Sequence, residues 1–497
     1  MKSLENIDSF GAIDADNDDI LLQVFEDHEA YRNIIDYKKF IIVGRKGTGK
    51  TAIFKKMLTL PKERYITFGH TFADYPWHYH DSQKSDGMPE HEKYVNSWKY
   101  LILLTLSKII LNYDASLPYD EVSLNSLTKI EQFVIDSYGT KDPDITQIFT
   151  PNRKLHLKPY LRLPGVIEAG LSPEYTNMSD LPKYFTEVNK NLMEHIFKSL
   201  NPENNYFICF DQLDLGFDPN SLEYMNRIIG LLLAAKDINK VSKENLKKCS
   251  IVIFLRDDIY DNLHFEDKNK LTQNSLSLIE WDKEITGNTL KNLMEKRFNN
   301  LLNNDVEIRI KWENVFDESK EMPGHQTKYT HITDRTYLRP RDIIKFSNEV
   351  LRQYKLRINL KEMQEKYFIN QDINLARQEY GNYFYEELDD EIHKHIPNYK
   401  NYFEIFKSIG KFQFSLKEYI DAFEKRHELY PDITDPIAIL KDLFEFSIIG
   451  YYKAGGLGYG GSEYVFKYID RKAQFDSSSG KYRIHLGLLE ALNLRRY

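Results

Sequence analysis

Cysteine is nearly absent. Cys209 and Cys249 are the only two in 497 residues, too few for a disulfide framework or a self-contained zinc site. Both fall in or beside apolar, strand-like runs, so buried reduced thiols are expected. No apolar run reaches the length of a membrane span. The longest, "YLILLTLSKIIL", is about half of what is needed and carries Lys108. The opening "MKSLENIDSFGAIDADNDD" is acidic and lacks the apolar centre of a signal peptide. These absences predict a soluble cytoplasmic protein with no membrane partner. Internal repeats and low-complexity segments are missing too. So is an excess of positive charge: 67 Lys and Arg against 75 Asp and Glu leave a net −8. That excludes a surface coated for nucleic acid, though not a single basic face. No Ser/His/Asp or Cys/His nucleophile arrangement is present, nor a paired-carboxylate site outside the nucleotide region described below. A nuclease or protease within this chain is therefore not expected, and destructive chemistry would fall to another chain.

What the chain does have is the composition of a folded protein, 41% hydrophobic and 13% aromatic. Its length exceeds what one core supports, so roughly two to four domains are expected. "FIIV", "RYITFGH", "YFICF" and "SIVIFL" read as strands, and helical periodicity separates them. Such alternation predicts an α/β core with a parallel sheet. A helix is expected across "NDDILLQVFEDHEAYRNIID". Residues 113–185 are less regular and proline-rich, and read as an insertion of loops or a hairpin.

"FIIV" runs into Gly44-Arg45-Lys46-Gly47-Thr48-Gly49-Lys50-Thr51-Ala52, a complete match to G-x-x-x-x-G-K-[ST], followed by the helical "TAIFKKML". Glycines let successive backbone N–H groups point inward as an anion nest. The helix N-terminus adds partial positive charge. Lys50 is placed to reach β- and γ-phosphates, and the Thr51 hydroxyl to ligate Mg²⁺. A plain Gly-rich turn would not account for Lys-Thr at the helix start. The absence of a guanine-reading N-K-x-D favours ATP.

A phosphate loop needs an acid on a neighbouring strand to hold Mg²⁺ and orient water. "YFICFDQLD" supplies Asp211 at a strand's carboxyl end, where α/β sheets place ligands. The next residue, Gln212, cannot act as a base; Asp214 either takes that role or caps a turn. Arg256, ending "SIVIFLR", either lies beside the γ-phosphate or makes a salt bridge with Asp257 or Asp258. In "YLRPRDIIKFSNEVL", Arg339 and Arg341 flank Pro340 at a helix start, placed to face a nucleotide if that helix folds over the sheet.

The order of phosphate loop, "FDQLD" strand, "FLRDD" strand and "RPRDIIKF" helix resembles the AAA+ ATPases of the origin-recognition-complex class. More narrowly, it is similar to their bacterial relatives, P-loop ATPases often found in phage-defence gene neighbourhoods. "FGAIDADNDDILLQVF" is similar to the N-terminal signature of that group. The resemblance implies a P-loop core over 1–285, a helical lid over 286–385 and a winged-helix domain over 386–497. It also implies ATP and Mg²⁺ as ligands, Arg256 and Arg341 as sensors, homo-oligomers in which one subunit's arginine completes the next subunit's site, and a protein partner encoded nearby. Arg297 and Arg335 are guesses for that arginine. Gln212 departs from the initiator pattern and points to hydrolysis that is slow or triggered by a partner.

At the C-terminus, "SLKEYIDAFEKRH" and "DPIAILKDLFEFSII" read as helices, the second capped by Asp435 with Pro436 behind it. A Gly-rich hairpin follows, completing a winged-helix outline. Residues 451–497 hold eight Lys and Arg against four Asp and Glu, with Tyr451 and Tyr459 able to pack on sugar or bases. The helix that would read a groove carries Asp442 and Glu445 beside Lys441, a composition better suited to a protein contact or to weak, non-specific DNA contact. Arg153, Lys154, Lys158 and Arg162 form one other basic stretch, a solvated hairpin face or a DNA or partner contact. His78 and His80, with Asp74 and Asp81, read as a surface loop rather than a metal site. The expected function is an ATP-driven switch that assembles into an oligomer and controls a partner, in anti-phage defence. The alternatives are an ATP-gated DNA-binding initiator or loader, and a nucleotide-binding interaction protein with negligible turnover.

Overall fold

The computed structural model describes residues 2–72, 80, 92–149, 185–215, 218, 220–282, 288–303, 309–361, 366–396, 398–426, 428, 435–455 and 461–495. They gather into two compact units. One comprises Asp27–Arg45 and Lys50–Ile279; the other comprises Met1–Glu26, Lys46–Gly49 and Glu280–Tyr497.

In the first unit the chain runs α1 (Glu29–Ile35), β1 (Ile41–Gly44), α2 (Lys50–Leu58), β2 (Tyr65–Thr71), α3 (Val95–Asn112), α4 (Glu121–Tyr138), α5 (Ile145–Phe149), α6 (Phe185–Ser199), β3 (Asn205–Asp211), α7 (Leu222–Glu244), β4 (Cys249–Arg256), α8 (Asp257–Asn262), α9 (Lys268–Ser275) and β5 (Leu276–Leu278). The strands form one sheet in the order β2-β3-β4-β1-β5, every pair parallel. Parallel strands are covered on both faces, which is why β1, β3 and β4 read as unbroken apolar runs. α3 is buried on nearly all sides and seats Trp98 against Phe72 and Phe210. Its two lysines reach partners at the surface: Lys99 pairs with Asp237, and Lys108 with Asp142. Both cysteines are buried thiols, as expected, and burial raises the Cys249 thiol to about 12.

Two expectations change. The helix expected across residues 17–36 is confined to Glu29–Ile35, started by the His28 ring accepting from the Ala30 N–H. Upstream, the Asp14 carboxylate takes hydrogen bonds from the backbone of Asp16 and Asn17, a local turn that competes with helix. Within 113–185, where loops or a hairpin were expected, α4 is an 18-residue helix. Its start is capped by Asp120 and its end by Gly139 in the left-handed region, and it buries Leu127, Ile130, Phe133 and Val134. The basic stretch at 152–165 lies outside the described residues. So do His78, Asp74 and Asp81. His80 is buried rather than on a surface loop: its ring stacks on Trp98 at 4.0 Å, its Nδ1 is 2.8 Å from Ser97 Oγ, and burial holds its pKa down to about 3.

The second unit continues with α10 (Leu290–Leu302), α11 (Lys328–Thr333), α12 (Pro340–Lys361), α13 (Asn370–Ile392), α14 (Tyr399–Ile409), β6 (Gln413–Phe414), α15 (Leu416–Glu424), α16 (Pro436–Glu445), β7 (Ile449–Lys453), β8 (Glu463–Val465) and β9 (Tyr482–Ile484). Its N-terminal segment is tied into the helices. Phe10 packs edge-on to Phe298 at 5.1 Å, and the Asn348 amide brackets Phe10 N and Gly11 O. The last strands form an antiparallel sheet ordered β6-β9-β7-β8. Asp435 caps α16 as expected, accepting from the Ile437 N–H at 2.9 Å with Pro436 in the first turn. Asp435→Ala is expected to cost the helix start about 1 kcal/mol. Hydrogen exchange at the amides of residues 437–439 checks this, as a roughly fivefold faster rate.

Candidate functional site

In the sheet-bearing unit, β1, β3 and β4 end at one edge, and each contributes a polar residue there. Gly44 is level with Arg256 across the β1–β4 pair. β4 separates β1 from β3, so the chain beyond Gly44 and the carboxylate of Asp211 stand about 10 Å apart in the sheet. The first turn of α2 bridges them. Thr51 hydrogen-bonds the Asp211 side chain, and Lys50 Nζ donates to the carbonyls of Gly44 and Arg45 at 2.8 and 2.9 Å. Ala52, small and half-buried, follows in the same turn.

Asp211 is 2% exposed, and its Oδ2 has no hydrogen-bond partner among the described residues. Burial raises its pKa to about 6, against the lowering effects of Thr51, the Gln212 backbone N–H and Lys50. Gln212 has φ 60°, in the left-handed region, and its N–H turns back onto the Asp211 carboxylate. Lys50 has the opposite balance: burial lowers its pKa, while Asp214, Asp257 and Asp211 favour its charge. Three carboxylates therefore act on one ammonium at the start of a helix.

Arg256 makes the salt bridge that was one of its two expected roles. Its Nε and Nη2 bind the Asp258 carboxylate at 2.9 and 2.6 Å, and Nη1 lies 3.5 Å from Asp214 Oδ2. Asp214 is thus drawn toward a guanidinium, and the backbone beside it is fixed by the Tyr224 hydroxyl donating to Leu213 O.

Residues Lys46 to Gly49 pack in the helical unit, together with Arg339 and Arg341. Gly47 and Gly49 have φ 81° and 104°, conformations that side chains resist. Around a Cβ at Gly49 there would be open space, whereas one at Gly47 would meet the Arg341 stem at 3.1 Å. Trp281 donates its indole N–H to Thr48 O at 3.0 Å, and Arg339 Nη1 donates to Lys46 O at 2.9 Å. Arg339 and Arg341 are both ion-paired within this unit. Arg339 is fully buried; burial works against its charge, and Asp342 and Glu391 outweigh it. Arg341 pairs with Glu387, and its Nε donates to Ile13 O at 3.2 Å. Lys46 Nζ is held by Asp390 and lies 3.6 Å from Glu387.

The two guesses for an arginine acting on a neighbouring subunit are corrected. Arg297 is 3% exposed, bound to Asp18 at 2.6 Å and to Phe10 O; Arg335 is 2% exposed and donates to His331 O. A guanidinium sequestered in its own core cannot reach across an interface. Sequence reasoning missed the action of Asp257 on Lys50, and it missed Trp281 and the acids of α13. Glu387, Asp390 and Glu391 do show helical spacing in "EELDDE", but nothing local names their cationic partners. Among the described residues, no cluster of three or more His, Cys, Asp or Glu is arranged to hold a metal, and no helix is long and apolar enough to cross a membrane.

In the C-terminal sheet, part of the expected basic surface is turned inward. Arg483 lies over the rings of Tyr464 and Phe466 at 4.4 and 5.4 Å, and Lys467 binds Glu445 at 3.1 Å and Ala473 O at 2.9 Å. Tyr459 is outside the described residues.

Comparison with known proteins gives two findings. Residues 288–389, which take in α10 to α12 and most of α13 and include Arg339 and Arg341, match the FunZ-associated C-terminal helical domain. The chain is also 23% identical over 457 residues to the 80.3 kDa protein assigned to transposon gamma-delta in Escherichia coli strain K12. That similarity covers 87% of this chain and 59% of the relative, so the chain spans little more than half of the relative's length.

Proposed function

We propose that this chain is an ATP-binding switch of the AAA+ type. In this reading Gly44 to Thr51 cradles the phosphates, Thr51 and Asp211 hold Mg²⁺, and the C-terminal helices and sheet form a winged helix that contacts a partner. The observation that carries the reading is Asp211. A carboxylate buried at the edge of a parallel sheet, hydrogen-bonded to the threonine of the loop and left with one oxygen unpartnered, costs stability that a fold without use for it would not bear. Its hard oxygen and the threonine hydroxyl suit Mg²⁺, which takes one or two protein ligands and completes its shell with water and phosphate oxygens. The strand order supports the reading too, since it sets Arg256 on β4 between the strands carrying the loop and the acid.

Hydrolysis in this reading is slow. Gln212 offers no base, and the Asp214 carboxylate is engaged by Arg256 at 3.5 Å instead of being turned toward a water. A partner or a second copy that pulls Arg256 away would free Asp214, so turnover is coupled to assembly. The proposed setting is control of a protein partner encoded nearby, in anti-phage defence.

A DNA-dependent variant of the same switch is the second reading. Lys453, Lys472 and Lys481 stay exposed in the C-terminal segment, and the relative's name places it in a transposon. One assay tests both: phosphate release from ATP by the purified chain, over a range of protein concentrations, with and without duplex DNA. The switch reading expects slow release that rises with protein concentration. Stimulation by DNA that fades as salt rises would put the DNA reading first. Failure of the chain to bind MgATP at all would sink both.

A further inference from the structure

Glu387 carries a consequence beyond nucleotide binding itself. On the last turns of α13, Glu387 and Asp390 share one face and both approach Lys46, while Glu387 also binds Arg341. Arg341 in turn lies with its stem over Gly47, and its backbone N–H points at Gly47 O at 3.5 Å. One carboxylate therefore sits between the two cations flanking the glycine turn. That is where an anion of the same charge type, a polyphosphate, would draw on the same donors. The neighbouring Arg339–Asp342–Glu391 cluster is different in kind. It is fully buried, with Arg339 1% and Asp342 0% exposed, and it anchors α12 to α13 whatever else binds. Lys46, Arg341 and Glu387 are 25%, 17% and 12% exposed, and Asp390 is 63% exposed, so these four side chains can exchange partners without opening the core.

We propose that Glu387 and Asp390 are an internal counter-anion: they occupy Lys46 and Arg341 until nucleotide phosphates compete for those cations, so that nucleotide binding loosens the end of α13 from the Lys46–Gly49 segment. The proposal rests on the phosphate-binding reading of the loop. By linkage, whatever holds the end of α13 down weakens nucleotide binding to the same extent that nucleotide weakens its hold. A partner gripping α13 is thereby a regulator of the nucleotide site.

The test is MgATP affinity by calorimetry on the full chain for wild type, Glu387→Gln/Asp390→Asn and Asp390→Asn. Removing both carboxylate charges should tighten MgATP binding about tenfold, the size two partly exposed ion pairs supply together, and the single change about threefold. Asp390 is mostly exposed, so Asp390→Asn keeps a readout if the double variant folds poorly. Hydrogen exchange adds a second signature: wild-type amides at 386–392 should exchange faster on adding MgATP, and the double variant's should already be fast without it. Wild-type binding with unchanged or weaker binding in both variants overturns the counter-anion and leaves the phosphate-binding reading standing. Binding by neither wild type nor variants overturns both.

Discussion

Lys50→Ala is expected to abolish ATP turnover, lowering it by at least about 100-fold, as loss of a charged donor to developing phosphate charge does. The structure shows how the side chain is held. Its ammonium is part-buried and donates to Gly44 O and Arg45 O at 2.8 and 2.9 Å, two carbonyls of the loop itself. Burial lowers its pKa, and Asp214, Asp257 and Asp211 work against that lowering. Alanine removes a cation on which all three acids act, so their repulsion rises where phosphate oxygens would have to enter. MgATP binding should therefore weaken along with turnover, the pattern of a group that serves both ground and transition states. Lys50→Arg should not restore it, because a planar fork cannot reproduce a compact ammonium bonded to two carbonyls. Phosphate release and calorimetry on the same preparations are the measurements. Undiminished turnover in Lys50→Ala would end the phosphate-loop reading, whatever the sequence match.

Why so much of this edge could be read from sequence, and so little of the helical unit, has a physical answer. The strand–loop–helix at 41–58 is a local object: an apolar run that must be buried, glycines where φ turns positive, and a helix start immediately behind. Asp211 and Arg256 are each marked by their own strand. Asp435 and Pro436 announce α16 by the same local logic. The α4 helix was legible in principle, since Leu127, Ile130, Val134 and Tyr138 recur at helical spacing. The prolines downstream drew the whole stretch toward loop. Arginine roles are not local in this sense. Arg341 meets Glu387 across 46 residues, Arg339 meets Glu391 across 52, and Arg297 meets Asp18 across 279. Nothing near any of them in the chain says whether the guanidinium faces a phosphate, a neighbouring subunit or a carboxylate of its own fold. The tertiary structure gives all three a carboxylate.

Asp211→Asn should move activity and stability in opposite directions. Turnover is expected to fall by about 100-fold or more, since an amide neither holds Mg²⁺ as a carboxylate does nor supplies its charge. The folded protein should meanwhile become more stable near neutral pH. Burial raises the Asp211 pKa to about 6, from the 3.8 of an ordinary aspartate. Between those values the native state holds a proton that the unfolded chain has released, so stability must fall as pH rises. The Asp211 contribution is complete below about pH 4, is lost as pH climbs through 6, and is flat above it. A shift of about two pKa units corresponds to about 3 kcal/mol, the upper bound of what ionising this carboxylate costs the fold at pH 7. Asparagine keeps the size and the hydrogen bonds with Thr51 and the Gln212 N–H but has no charge to desolvate. Thermal unfolding followed from pH 4 to 8 should show the variant and wild type converging at the acid end, separating as pH rises from about 4 through 6 and running parallel above that, with the variant more stable. A constant difference across that range, or a variant less stable at pH 7, would mean the carboxylate serves the fold. A difference that opens with pH, joined to lost turnover, is the result expected of a carboxylate kept charged for Mg²⁺ against the interest of stability.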